Sequence, residues 1–281
     1  MTKRPSAAFV DRALGAASDV LLVDPSPELV RIVVGDLAAA DRSGVDGSTE
    51  AGSPSLVRIL CTDETAEAAF DDFLTATAAA DARSADRLAV RTVPDLGERL
   101  TIADGTVHAH LSVGDDGTNR PSDRGFASGD DEALYAAVEE EYGARWRDAD
   151  EYVFDVPGRT TIVASFGDRW PDAAGTLADL FRAAETLPRT GAFDPATVCT
   201  LVGARHEVLA MDLGDWAEEV GLSSRTEIAR SKARLIEGGL VETEREPVGV
   251  GRPRHRLVLA NGGPTDPTGG ELLDRGRAAL E

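Results

Sequence analysis

The side chains best suited to chemistry in this sequence gather between positions 223 and 254. They are Ser223, Ser224, Arg225, Thr226, Arg230, Lys232, Arg234, Arg252 and Arg254. Their types suit a nucleic acid. Guanidinium groups reach guanine edges or phosphates, hydroxyls bond phosphate oxygens, and short side chains let a helix approach a groove closely. At 100° per residue, Ile228 and Leu235 fall on one side of a helix and mark its core face. Thr226, Arg230 and Ala233 then fall opposite, with Ala229 and Arg234 at the margins. Arg225 and Lys232 lie nearer the core side and are expected to reach phosphates. Arg252 and Arg254 stand in PVGVGRPRH, a basic, glycine-containing tip between two strand-like runs. Such a tip can enter a minor groove or grip the backbone.

The elements that must hold these residues are legible from local signals. Asp194 before Pro195 is a helix start, with an acceptor at the N-cap and a proline whose missing N–H costs nothing at N1. The apolar spacing of Val198, Leu201, Val202, Val208 and Leu209 predicts a first helix to about residue 209. Leu213, Trp216, Ala217 and Val220 predict a second, short helix that Gly221 ends. Ser224 and Glu227 form a capping box for the third, which stops at Gly238-Gly239. Runs at 240–246 and 256–260 read as a hairpin. Helix, turn, capped helix, hairpin is the order of a winged helix-turn-helix, expected over 193–260. A linker and a short C-terminal helix are expected over 261–281.

Other chemistries have weaker footing. His108 and His110 would share one face of a strand, a spacing that suits metal, but no third ligand accompanies them, so no metal site is expected. The lysine of an HxK phosphodiesterase motif is missing. The run VLLVDPSPELV resembles the first strand and helix of a phosphoacceptor receiver. Yet proline follows Asp24 where a second acid is needed, and no lysine lies between Lys3 and Lys232. No nucleophile–base pair or phosphate-cradling glycine loop appears, so neither an enzyme nor a cofactor is expected. Cys61 and Cys199 have no partner spacing, which points to a reducing compartment without a disulfide framework.

Charge at first opposes a nucleic-acid partner, with 50 acidic residues against 29 basic ones. Its distribution reverses the argument. Residues 1–194 carry 18 Lys+Arg and 36 Asp+Glu, whereas residues 225–256 carry 8 and 5, a local excess of three positive charges. Only two lysines accompany 27 arginines. An acidic, lysine-poor, alanine-rich chain fits a salt-saturated cytoplasm, where the acidic excess is an adaptation for solubility. The N-terminus lacks a signal-peptide core, and no apolar run approaches the ~20 residues needed to span a bilayer. A cytoplasmic protein with no membrane partner is expected.

Upstream, strand-like runs at 19–23, 55–61 and 88–93 alternate with helix-like runs at 28–40 and 65–80, and a hairpin follows over 100–113. A short helix is expected over 8–17. The fold class predicted is an α/β N-terminal domain over 1–114, a loop or linker over 115–130, a helical middle segment over 131–192 and the winged helix-turn-helix. Within the middle segment a helix is expected from 131 to about 147, a strand over 152–156 and a helix from 171 to about 187. The stretch 159–166 is left open between strand and helix. In open α/β sheets the ligand crevice lies beyond the C-terminal ends of the strands. Asp24, Ser26 and Thr62 stand there and are candidate ligand contacts. The helix opened by Pro27 could hold an anionic group at its N-terminus, although helix capping is the more usual role of residues such as Asp24 and Ser26 and is the favoured reading.

With these residues in place, ARHEVLAMDLGDWAEEVGLSSRTEIARSKARLIEGGLVE and the α/β region before it resemble the haloarchaeal TbsP-type transcriptional regulators over nearly the full length. The N-terminal part also bears a loose likeness to TrmB-type effector regions. The resemblance implies a sequence-specific regulator of central sugar-metabolism genes that binds double-stranded DNA through its C-terminal winged helix. A homodimer is expected, since helix-turn-helix readers pair on near-palindromic sites, and a sugar or sugar-phosphate effector is a further expectation. The competing class is a metabolic sensor or adaptor whose winged helix docks a protein partner. A continuous positive patch around Thr226, Arg230, Arg234 and the wing favours DNA, and an apolar patch favours protein.

Overall fold

The computed structural model describes Phe9 and residues 17–45, 56–111, 125–184, 194–246, 254–260 and 267–280. The chain divides into two compact units, Met1–Phe154 and Asp155–Glu281. The helical segment expected over 131–192 is therefore shared between them.

In the first unit, strand β1 (Asp19–Val23) is followed by helix α1 (Pro27–Val45), strand β2 (Leu56–Cys61), helices α2 (Asp63–Phe70) and α3 (Phe73–Ser84), and strand β3 (Leu88–Thr92). Strands β4 (Leu100–Ala103), β5 (Thr106–Leu111) and β6 (Gly125–Gly129) come next, then helix α4 (Glu132–Asp148) and the two-residue strand β7 (Asp150–Glu151). The sheet order is β6-β5-β4-β1-β2-β3-β7. β1, β2 and β3 run parallel, with Val20 opposite Val57 and Val57 opposite Leu88. The outer strands join antiparallel. Because the sheet is covered on both faces, its central strands are apolar at successive positions. Leu21, Val23, Leu60 and Ile102 pack with Tyr142 of α4. Val20, Leu22, Val57 and Ile59, in the opposite phase, are equally buried. Each such side chain contributes about 1.5–3 kcal/mol of transfer free energy.

Three departures from expectation have local causes. The helix expected over 65–80 is two, because Asp72 leaves the helical region and its carboxylate caps Thr75 N–H at 3.0 Å. The loop expected over 115–130 contains β6. Its polar, glycine-rich sequence has no strand pattern, and it is held by its backbone ladder to β5 and by Phe126, which stacks on Phe9 at 3.8 Å. The strand expected over 152–156 is instead Asp150–Glu151, an edge pairing with Arg91 and Thr92. Apart from Phe9, which is helical and buried, the helix expected over 8–17 lies outside the described residues until Ala17.

The second unit runs through helix α5 (Arg159–Arg169), a 3-10 turn (Pro171–Ala173), and helices α6 (Ala174–Ala184), α7 (Pro195–Arg205), α8 (Ala210–Glu219) and α9 (Arg225–Glu237). Strands β8 (Val241–Glu246) and β9 (Arg254–Leu259) and helix α10 (Gly269–Leu280) complete it. The β-branched stretch left open over 159–166 is helical. Ile162 and Phe166, four apart, are fully buried, and this packing outweighs the strand propensity of their neighbours. α10 finds its partner surface on α6. A Cβ at Gly269 would lie 2.5 Å from the backbone N of Leu180, so only glycine permits the approach that buries Leu272 and Leu273.

Candidate nucleic-acid interface

The reader is built from α7, α8, α9 and the β8–β9 hairpin. Asp194 caps α7 by accepting from Thr197 N–H at 2.7 Å. The helix ends at Arg205, earlier than the expected residue 209. Glu207 adopts φ 53°, and Leu209 bridges to Arg256 as a third, one-residue rung on the hairpin. That bridge ties the hairpin to the helices. α8 carries Leu213, Trp216 and Ala217 inward, and Trp216 Nε1 donates to Ser165 Oγ at 2.9 Å while its ring meets Phe166 edge-on. Gly221, at φ 74°, turns the chain so that Leu222 N–H reaches the Ala217 carbonyl at 2.9 Å. This turn sets α9 against α8.

The capping box of α9 is complete. Ser224 Oγ accepts from Glu227 N–H, and the Glu227 carboxylate accepts from Ser224 N–H at 3.0 Å and from Ser223 Oγ at 3.1 Å. These bonds hold the Glu227 carboxyl below the usual carboxylate range, the Ser224 backbone first among them. Ser223 and Ser224 are thus committed first to starting the helix. On its inner face Ile228, Ser231 and Leu235 are buried, and Ser231 shares a hydrogen bond with Thr197 at 3.1 Å.

The cations of α9 divide into two classes. Arg225 pairs with Asp215 at 3.0 Å and Glu218 at 2.9 Å, which clamps α9 to α8. Arg234 pairs with Asp194 at 2.6 Å and also donates to Thr197 Oγ1 at 3.4 Å. One carboxylate, Asp194, therefore caps α7 and anchors α9. Arg230, exposed, and Lys232, half-buried, are in no salt bridge among the described residues, and Arg230 interacts by charge with its neighbour Glu227, whose carboxyl it helps to hold down. Thr226, Ala229 and Ala233 are exposed beside them, so the outward face is narrow, uncrowded and positive.

In the hairpin, Arg254 sits opposite Glu246, and Arg256 pairs with Glu246 and Glu207. Arg252 lies outside the described residues. Arg245 was not anticipated from sequence. Val241, Thr243 and Arg245 share one phase with Leu259, Leu257 and His255 across the hairpin. Val241 and Leu257 are buried, whereas Arg245 and His255 are exposed towards the tip. The period-two pattern of VETERE carries this signal.

The candidate ligand contacts of the first unit are bound within the fold. Asp24 accepts from Arg99 Nε and Thr65 Oγ1, both at 3.2 Å. Ser26 is fully buried and caps α1 through Leu29 N–H, and Thr62 caps α2 through Thr65 N–H. His110 bonds Thr101 and His108 bonds Ser128, both at 2.7 Å, as hairpin residues. Cys61 is buried, and burial pushes its thiol up to about 12, with Asp24 and Asp63 adding to the shift. Cys199 is pushed up in the same way, so both thiols are unreactive at neutral pH.

A tri-helical core with a capped, outward-facing third helix and an appended hairpin, joined in one chain to an α/β unit, defines a helix-turn-helix regulator. Family models carry this further. Residues 159–275 match the C-terminal helix-turn-helix domain of TbsP-like transcriptional regulators, and residues 1–157 match their N-terminal region. The chain belongs to the TbsP-like transcriptional regulators. No match is found among curated proteins. One similar solved structure is that of TrmBL2, an archaeal chromatin protein described as showing a novel mode of DNA binding. The two chains share 18% identity at a TM-score of 0.34, over 52% of this chain and 49% of that one. This chain thus spans about half the length of that relative. Among the described residues, no helix is long and apolar enough to cross a membrane.

Proposed function

We propose that this regulator reads double-stranded DNA in a sequence-specific manner, with α9 in the major groove and the hairpin on the backbone. The observation that carries this reading is the division of cations on α9. Two are tied into the fold, and Arg230 and Lys232 stand beside a narrow strip of short side chains. Arg230, at the centre of the outward face, is assigned to base edges. Lys232, Arg245, Arg252 and Arg254 are assigned to phosphates. Ser223, Ser224, Arg225 and Thr226 lie at the N-terminal end of α9, which helix-turn-helix readers bring nearest to the groove.

The working unit is a homodimer in a salt-rich archaeal cytoplasm, and its targets are genes of central sugar metabolism. The α/β unit acts as the effector or pairing domain, with a sugar or sugar phosphate as the effector. In molar salt counterion release contributes little, so base contacts and DNA shape carry more of the affinity than in dilute buffer.

Selection of bound duplexes from a random pool by the full chain tests this reading. The expected product is a near-palindromic motif with half-sites about one helical turn apart. If no motif is enriched at any salt concentration, DNA reading fails and the winged helix becomes a protein-docking module.

A further inference from the structure

The first unit holds a cleft of about 610 Å³ along the edge of the sheet, lined by Arg58, Arg83, Arg91, Trp146, Leu56 and Ala89 among others. Residues 1–154 carry 14 basic and 30 acidic side chains. Three arginines around one cleft therefore run against the composition of their own domain. The lining itself carries the carboxylates Glu151 and Asp86, and Asp19 beside it pairs with Arg58, so what the cleft offers is a set of directed N–H donors and not a net charge.

Each guanidinium is held in place without being saturated. Arg58 donates through Nε and Nη2 to Asp19 at 3.0 and 2.8 Å. Arg91 donates through Nη1 to the Trp146 carbonyl at 2.6 Å and the Arg147 carbonyl at 3.3 Å. Arg83 donates through Nη2 to Glu151. A guanidinium has five N–H donors, and among the described residues these partners engage two nitrogens of Arg58, one of Arg91 and one of Arg83. Arg58 and Arg91 both pack on the Trp146 ring, with their Cζ atoms 5.8 and 5.1 Å from its centroid. The Asp19 and backbone contacts fix the angles of both planes. Leu56 and Ala89 add a half-buried apolar wall.

We infer that this cleft binds the phosphate monoester of a small metabolite. Fixed guanidinium planes with spare donors match the several acceptor oxygens of a phosphate. The volume exceeds what a phosphate alone would fill, and the apolar wall gives the organic part a surface. The site differs from the crevice at Asp24, Ser26 and Thr62, where capping and the Arg99 pair occupy those groups. It deepens the effector role proposed above by giving that role a location. Occupancy of the cleft is nevertheless separable from any effect on DNA.

The test uses the full chain labelled with 5-fluorotryptophan. Its three tryptophans give three fluorine resonances, and Trp146→Phe assigns the one in the cleft. Glycerol 3-phosphate, glucose 6-phosphate and adenosine monophosphate are titrated in turn at constant ionic strength, beside glucose and inorganic phosphate. At least one ester is expected to shift the Trp146 resonance saturably and more tightly than inorganic phosphate, with glucose inert. Arg83→Ala, at the exposed rim, should weaken that binding about tenfold. Arg91→Gln is a second variant that keeps an amide donor, and it should weaken binding as well. No shift with any ester, a shift that sodium chloride reproduces, or binding unchanged in both variants would overturn the site. Inorganic phosphate binding as tightly as the esters would overturn the assignment to an ester. DNA is absent from the measurement, so failure here leaves the DNA-reading proposal standing, and success does not depend on it.

Discussion

Helix starts in two regions of this molecule use the same residue types to different ends. At the top of the sheet, Asp24, Ser26 and Thr62 are bound to Arg99, Thr65, Leu29 N–H and Thr65 N–H. On α9, Ser224 and Glu227 likewise close a cap, and Arg225 and Arg234 close ion pairs, but Thr226 and Lys232, and Arg230 apart from its charge interaction with Glu227, exceed what the fold engages. The difference teaches that a polar cluster at a helix start marks a ligand site by its surplus. Groups already matched inside the fold contribute to stability, and exposed groups beyond that demand are available to a partner.

The comparison breaks if the matched groups prove dispensable, and the largest effect is expected at Asp24. Its side chain is 15% exposed and bonded to Arg99 and to Thr65 of α2, so Asp24→Ala should cost about 2–3 kcal/mol in denaturant unfolding. A variant of native stability that had instead lost a metabolite response would move Asp24 into a binding site. Ser224→Ala is expected to cost about 1 kcal/mol through loss of the cap. The same cap carries a pH signature. The folded Glu227 carboxyl sits below its ordinary value of 4.5, so its contribution is fully present above that value and is lost as pH falls through the lower folded one. Acid unfolding of Glu227→Gln should therefore be less steep than that of the parent. The smallest effect is expected at Arg234. Its pair with Asp194 is about half-exposed, so Arg234→Ala should change stability by less than ~1 kcal/mol. It should also weaken cognate and scrambled duplexes alike, as befits a positioning residue. A loss confined to the cognate site would return Arg234 to the base-reading face.

Much of this was legible in sequence because it is local. The run DVLLV fixes β1 at Asp19–Val23, and the S-x-x-E box fixes the start of α9. Ile228 and Leu235 on the buried face of α9 and Arg230 on the exposed one follow from periodicity alone, whereas Arg225, which the same periodicity places nearer the core side, is exposed in the first turn. What escaped depends on contacts distant in sequence. β6 exists through its ladder to β5, and nothing in GFASG announces a strand. Arg234 and Asp194 are 40 residues apart, so their pairing appears only when α7 and α9 cross. The separation of pinned from open cations was invisible for that reason, as was the cleft that gathers Arg58, Arg83 and Arg91 from a strand, a helix and a second strand.

The central claim is that Arg230 reads bases from a helix whose other arginines hold the fold. Fluorescence anisotropy of the full chain on its selected site and on a scrambled duplex, with and without Arg230→Ala, tests it most directly. Base reading by Arg230 predicts a loss of about 1–3 kcal/mol on the selected site, nearly unchanged binding to the scrambled duplex and an unaltered unfolding midpoint. Equal losses on both duplexes, or no loss on either, would contradict it.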